Sequence, residues 1–336
     1  MQEHDWATVV GAATRAPSIH NTQPWRFTAS DGRLEIYLDE SRALPVLDPT
    51  RRQQVISCGI VAEFAVVALA DAGTAAEVDV LPDPGNPDHL ATVRVTGPHD
   101  TAEEDRAMAG AIAERHTVRS PFLPRAVPAE LIEQLQAEAG SFGIWFKQIT
   151  RSEEEVATVF LISRAEEIEQ GDPAYLAELQ SWLRSDSSPD GVPVGAVPSD
   201  DPHGRASNWL IRDFVVGNRE EQHLFRPGGD PDAPPPEVER PTVVLMGTEG
   251  DDREAWVASG LALGRVLLRA TAAGLAASPL TQALDWPVTR TQLQSRLSLV
   301  GHPQMLIRLG YPPQGPTGVV SGRRPVEEVL QVRPPS

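Results

Sequence analysis

QQVISCGIVAEFAVVALADA, residues 53–72, is apolar around almost its whole circumference and is followed directly by Gly73. The run is too long for a strand and too short for a comfortable membrane crossing, so it reads as a buried core helix closed by a glycine. A second stretch of the same kind, DREAWVASGLALGRVLLRATAA at 252–273, ends at Gly274 and reads as a second buried helix.

Working outward from the first helix, Trp6, Val9, Val10 and Ala13 have helical spacing within 3–14, and the pattern stops ahead of Pro17. The stretch WRFTASDGRLEIYLDE (25–40) alternates about Asp31-Gly32, a dipeptide that favours a tight hairpin. Strands are expected at 77–81 and 90–96 around the turn-rich PDPGNPD, and a charged helix at 101–115 opens a second unit. That unit is expected to hold helices at 128–139, 152–168 and 173–184 and a strand at 143–149. Residues 185–240 are dense in Pro, Gly, Asp and Ser, with an apolar island at Trp209–Val216; so long a connection reads either as a lid over a site or as a plain mobile loop. A strand at 241–248, a short helix at 288–297, a strand at 303–309 and a Pro/Gly-rich tail complete the pattern. Helices and strands mix without βαβ periodicity, which gives an α+β class.

Composition narrows the function. The 336 residues, 40% hydrophobic, suffice for one large domain or two packed ones. A formal charge of −18 argues against nucleic acid and anionic membranes as partners, and any bound phosphate must meet a local basic cluster. Cys58 is the only cysteine, and no CxxC, HxH or HExxH spacing occurs, so no metal site is expected. Lys147 is the only lysine among 29 basic residues, which disfavours Schiff-base chemistry and a Walker-type loop. Neither GxSxG nor GxGxxG is present. With no long apolar span and no signal-like amino terminus, a cytoplasmic protein is the expectation.

Four short strings carry chemistry. APSIHNTQPWRF (16–27) places an asparagine in a Pro-anchored loop, where its amide can answer both donors and acceptors of a heterocycle or simply cap its own backbone. ERHTVRSPF (114–122) gathers two arginines and a hydroxyl, which suit a phosphate but also suit a helix carboxy terminus. GLAASPLT (274–281) is small enough for backbone to approach a planar ring. The tail, LIRLGYPP at 306–313 followed by SGRRPVEEV at 321–329, adds the adjacent pair Arg323 and Arg324.

These strings resemble, in order, the APSxxNxQPWxF loop, the RRSxR-type segment, the GLG-like turn and the carboxy-terminal arginine segment of the nitroreductase superfamily. The first half has the loop but no RRSxR string, and the second half has the other three elements but no second loop. This complementarity resembles the Acg-like branch, in which a fused chain imitates the dimer. The resemblance implies a nitroreductase-like fold of two tandem halves forming a pseudo-dimer, 1–100 and 101–336, with residues 185–240 as the candidate lid. It also implies FMN held by Ser18, Ile19, Asn21, Arg115, His116, Thr117, Arg119, Pro279, Leu280, Thr281 and Arg323, with Arg324 beside the last. His116 departs from the arginine that many members carry there. The implied activity is electron or hydride transfer through flavin N5 to or from a small organic substrate, with NAD(P)H as the donor inherited from the superfamily. The alternative is an FMN-storing or sequestering protein with a closed lid. Monomer and homodimer both remain open, and no acid or base can be named.

Overall fold

A computed structural model describes residues 5–185, 187–194, 207, 209, 238–313 and 320–333 of the chain. Helix α1 (Trp6–Ala13) leads into β1 (Trp25–Ser30) and β2 (Arg33–Leu38), joined by the Asp31-Gly32 turn with Gly32 at φ 68°. Helix α2 (Arg52–Asp71) follows, then β3 (Thr74–Val80) and β4 (His89–Pro98). Beyond α3 (Glu103–Glu114) and α4 (Ala129–Gly140) come β5 (Trp145–Gln148), α5 (Ser152–Gly171) and α6 (Pro173–Ser181). A short parallel pair, β6 (Leu183–Arg184) and β7 (Val192–Pro193), precedes β8 (Thr242–Thr248) and α7 (Arg253–Ala272). The chain continues through β9 (Ala276–Pro279), α8 (Gln282–Asp285), α9 (Pro287–Arg296), β10 (His302–Gly310), α10 (Val326–Val329) and β11 (Leu330–Val332).

Besides the β6–β7 pair, two larger sheets result, and they share one plan. The first has the order β1-β2-β4-β3 with every one of these neighbours antiparallel, and the second has β5-β8-β10-β9, again antiparallel throughout. In each, the long apolar helix connects the second strand in sequence to the third. The first sheet gains a fifth strand from the far end of the chain, β11 pairing parallel to β1 with Phe27 opposite Leu330. The carboxy terminus thus crosses the boundary expected near residue 100.

The α+β class and the main elements match the sequence reading to within a few residues at their ends. Three features differ. GLAASPLT is not a turn throughout, because Ala276–Pro279 forms the edge strand β9. The tail is not irregular throughout, because it carries α10 and β11. The 173–184 helix stops at Ser181, where β6 begins shortly after. Of the 185–240 segment, only residues 185, 187–194, 207, 209 and 238–240 lie among the described residues.

Helices α2 and α7 cross with their backbones in contact. A Cβ on Gly59 would lie 2.3 Å from the Val257 carbonyl oxygen and 2.8 Å from the Gly260 Cα. A Cβ on Gly260 would lie 2.2 Å from the Ile56 carbonyl oxygen and 2.6 Å from the Gly59 Cα. The clash is reciprocal, each glycine facing the carbonyl three residues before the other, and only a residue without a side chain permits so close an axis separation. Around the crossing, Val55, Val61, Phe64, Val257, Val266 and Leu268 are buried in one apolar core, and α2 lies inside it although, contrary to the sequence reading, its length and apolarity would suffice to cross a membrane. Glu63 of α2 pairs with Arg265 of α7, and burial pushes its carboxyl up to about 7 despite that partner.

Gly59→Ala and Gly260→Ala are each expected to cost about 3 kcal/mol, because the obstructing atoms are backbone and cannot turn aside. In chemical denaturation Gly140→Ala is the control: its Cβ meets nothing within 4 Å, and the effect is expected to be neutral or slightly stabilising. For Glu63, a folded-state pKa above the ordinary value means that its contribution is fullest at low pH and declines as pH rises from about 4.5 to about 7. Wild type should therefore lose stability relative to Glu63→Gln across that window, as measured by denaturation at pH 4.5 and 8.

Candidate functional site

The helix crossing forms one wall of a cavity of about 510 Å³, through Ile56 and Ile60 of α2 and Leu263 and Leu267 of α7. Its remaining walls come from the loop at 15–21, the segment at 115–119, the end of β9, the middle of β10 and the tail at 320–323. Of the residues expected from sequence, Ser18, Ile19, Asn21, Arg115, His116, Thr117, Arg119, Pro279, Thr281 and Arg323 all line it. Leu280 does not. Its N–H donates to the Leu306 carbonyl at 2.9 Å and its side chain is buried in a separate apolar cluster with Leu161 and Leu306, because strand alternation turns it away from Pro279.

Three arginines gather at one part of the cavity, Arg115 and Arg323 at the backbone of Arg15, whose own exposed guanidinium donates to the Ala113 carbonyl at 3.1 Å. The Arg115 Nη2 and Arg323 Nη2 groups both donate to the Arg15 carbonyl, at 2.9 and 3.1 Å. Burial, then the charges of Arg323 and Arg15, push Arg115 down to about 9, and burial followed by Arg15 pushes Arg323 down to about 10. The Nε atoms of Arg115 and Arg323 are buried and have no hydrogen-bond partner among the described residues. No described carboxylate lies within ion-pair distance of any of the three. In a chain of net charge −18, cations crowded together without a counter-charge are costly unless an anion joins them. Arg15 was not singled out from sequence; its only mark there is that it directly precedes the APSIHN loop.

The loop is held in an unusual backbone shape, with His20, Asn21 and Gln23 at φ 44°, 53° and 50°. Asn21 secures it. Its Nδ2 donates to the carbonyls of Gly191 at 3.0 Å and Gly322 at 3.2 Å, and its Oδ1 accepts from Arg323 Nη1 at 3.2 Å. Gln23 reinforces the same junction, donating to the Pro189 carbonyl and accepting from the Arg324 N–H, both at 2.8 Å. A Cβ on Gly322 would meet the Ser188 carbonyl oxygen at 2.2 Å, so the tail and residues 188–191 lie directly on each other. Asn21, expected to offer its amide to a heterocycle or to cap its own backbone, lines the cavity, and its amide here clamps the tail arginine. The Ile19 N–H is likewise engaged, donating to Ser57 Oγ at 3.2 Å, while Ser18 Oγ accepts from the Gln23 N–H at 2.9 Å and keeps its own proton to donate.

A buried ion pair fixes the second arginine segment. The Arg308 and Glu239 side chains are fully buried and joined by two bonds from Arg308 Nη1, at 2.8 and 2.6 Å. Arg308 Nη2 donates to the carbonyls of Arg119 at 3.0 Å and Ser120 at 2.9 Å, and Glu239 accepts from the Phe122 N–H at 2.7 Å. The pair was missed from sequence, where the one signal is an arginine inside the apolar strand PQMLIRL. Among the described residues no group of His, Cys, Asp and Glu side chains could hold a metal ion. Cys58 is buried, and burial drives its thiol well above the ordinary range.

These features define the class: an α+β protein with a cavity that has one apolar wall and an arginine cluster at its rim. No family profile matches the chain. It is 35% identical over 91% of its length, and 85% of the relative's, to "Putative NAD(P)H nitroreductase Rv3131" of Mycobacterium tuberculosis. It is 32% identical over 97% of its length, and 95% of the relative's, to that organism's "Putative NAD(P)H nitroreductase acg". A more distant relative, named "Probable NAD(P)H nitroreductase PigM", is from a Serratia strain, at 23% identity over 96% of this chain and 91% of that one. Among solved structures, the FMN-dependent nitroreductase NfnB of Mycobacterium smegmatis aligns with a TM-score of 0.36 and 14% identity over 68% of this chain and 93% of that one. The chain belongs to the Acg-like family of the nitroreductase superfamily, a family of oxidoreductases.

Arg308→Met is expected to destabilise the fold by about 3–5 kcal/mol, because it leaves Glu239 buried without a counter-charge. The double variant Arg308→Met, Glu239→Leu should recover part of that loss in chemical denaturation, whereas simple additivity would contradict the pairing.

Proposed function

We propose that the chain is an FMN-dependent oxidoreductase that moves electrons from NAD(P)H to a small organic acceptor such as a nitro compound or a quinone, with one FMN per chain. The observation that carries this reading is the cluster of Arg15, Arg115 and Arg323, two of them with orphaned buried Nε atoms, on a cavity of about 510 Å³ that has one apolar wall. A phosphate monoester fits that chemistry: guanidinium forks bond phosphate oxygens strongly, and the Thr117 and Ser18 hydroxyls on the same cavity add neutral donors. Ile56, Ile60, Leu263 and Leu267 supply the apolar wall that a planar ring needs, and they exclude water from it. FMN, once bound, supplies the redox chemistry at N5, and the protein's part is to bind, orient and enclose it. The names of the relatives support the nicotinamide donor.

The two-halves reading draws on the repeated strand order and on the reciprocal glycine contact, which has the form of an isologous dimer interface. Arg52 and Arg253, each the first residue of its helix, extend the pattern. Arg52 donates to the Gln304 carbonyl in the second sheet, and Arg253 reaches Asp88 at 3.0 Å beside the first. The loop that carries Asn21 has no counterpart before β5, where α4 and the strand are joined by residues 141–144 alone, so a single site per chain is proposed. A sequestering role is the second reading, and one observation favours it. Residues 188–192 are tied to the cavity rim by Asn21, by Gln23 and by the Arg42–Asp190 pair, with Val192 on the cavity wall. A cytoplasmic location and a pseudo-dimeric monomer complete the proposal.

Anaerobic addition of NADPH or NADH to the FMN-loaded protein should bleach the flavin within a turnover time, and a nitroaromatic or quinone should restore the colour. A flavin that stays oxidised with both donors would favour sequestration. Arg115→Met and Arg323→Met should each weaken FMN about 10–100-fold while changing riboflavin, which lacks the phosphate, less than about twofold. Equal losses for both flavins would place the arginines elsewhere than on the phosphate.

A further inference from the structure

Gln53 stands in the first turn of α2, on an element that carries none of the three clustered arginines. It lines the cavity and is buried, with 6% of the residue exposed. Its Nε2 donates to Asp285 Oδ1 at 3.0 Å, and the same oxygen is ion-paired to Arg52 at 3.2 Å. An ionised carboxylate only accepts, so this contact fixes which way round the amide stands. Arg52 is itself held by the carbonyls of Leu284 at 2.9 Å and Gln304 at 2.8 Å, which leaves Asp285 little room to turn. The consequence is a pre-set acceptor: Gln53 Oε1 receives no hydrogen bond from any described residue.

The two nearest polar side chains on the loop side, Ser57 and Asn21, are already engaged. Ser57 Oγ donates to the Gln53 carbonyl at 2.7 Å and accepts from the Ile19 N–H, and the Asn21 amide is bound to Gly191, Gly322 and Arg323. A flavin anchored by its phosphate at the arginines brings into the cavity a ring with a single N–H in its oxidised form, the imide at N3. Burying that donor without an acceptor is unfavourable, and an oriented amide oxygen is the group that answers it.

We infer that Gln53 Oε1 accepts the hydrogen bond of the flavin N3–H, with Asp285 and Arg52 as the positioning pair that keeps the amide turned toward the ring. The inference rests on the FMN reading above and adds to it the residue that reads the imide edge, the role first expected of Asn21.

The test compares the dissociation constants of FMN and 3-methyl-FMN, read by flavin fluorescence, for wild type and for Gln53→Met. Methionine has nearly the volume of glutamine but no carbonyl, so a purely steric rejection of the methyl group would survive the substitution. Wild type is expected to prefer FMN by about tenfold, the worth of one lost hydrogen bond at a buried site, and Gln53→Met to bind the two flavins within about twofold of each other. A preference that persists in Gln53→Met, or equal affinities in wild type, overturns the inference while leaving FMN binding intact. If wild type binds neither flavin, the FMN reading itself falls and this one with it. Should the variant fail to fold, FMN labelled with ¹⁵N at N3 gives a second readout in wild type. A downfield N3 proton in slow exchange with water supports the bond, and one exchanging as in free FMN contradicts it.

Discussion

The contact between Gly59 and Gly260 sets the geometry on which the other features depend. Because neither residue has a side chain, α2 and α7 meet backbone to backbone, and each brings one apolar face to the cavity at the same crossing. Any side chain at that point would push the helices apart and widen the wall made by Ile56, Ile60, Leu263 and Leu267. The two larger sheets, repeating one strand order, pack against the helix pair, the first on α2 and the second on α7. The last strand then crosses to the first sheet, and this draws the tail with Arg323 over the loop that carries Asn21.

Electrostatics supplies the second constraint. An acidic chain can bring three arginines together away from any described carboxylate only if other interactions hold them, and the hydrogen bonds provide the means. Arg115 and Arg323 share the Arg15 carbonyl, and Asn21 holds Arg323 in place. Arg308, the one fully buried cation among the described residues, has its carboxylate in Glu239 and serves the backbone of 119–122 instead of facing the cavity. Arginine thus has two separable uses here, one neutralised and structural, the other left charged toward the site.

Much of this was legible in the sequence because it is written in local patterns. The length and all-round apolarity of 53–72 and 252–273 announced two buried helices, Asp31-Gly32 marked a hairpin, and four short strings marked the cavity lining. What was not legible depends on contacts between distant segments. The alternation that turns Leu280 into the second apolar cluster follows from β9 pairing with β10, and a run of small residues does not reveal that pairing. Asn21 reads as a ligand-facing amide until residues 188–191 and the tail are brought onto it. Arg15 and Glu239 have no local signature, since one matters for its neighbours across the fold and the other for a partner 69 positions away. Gln53 is hidden in the same way, because its orientation comes from Asp285, far along the chain.

The proposed function requires a single flavin site assembled within one chain from both halves. The most direct test is to load the apoprotein with excess FMN, remove the unbound flavin, and measure bound FMN per chain together with the molar mass in solution. One FMN on a 36.3 kDa monomer, or one per chain in a larger assembly, is the predicted result. Two per chain would mean that the second half holds a site of its own, and one per two chains would mean that the site lies between copies. Either result would contradict the account.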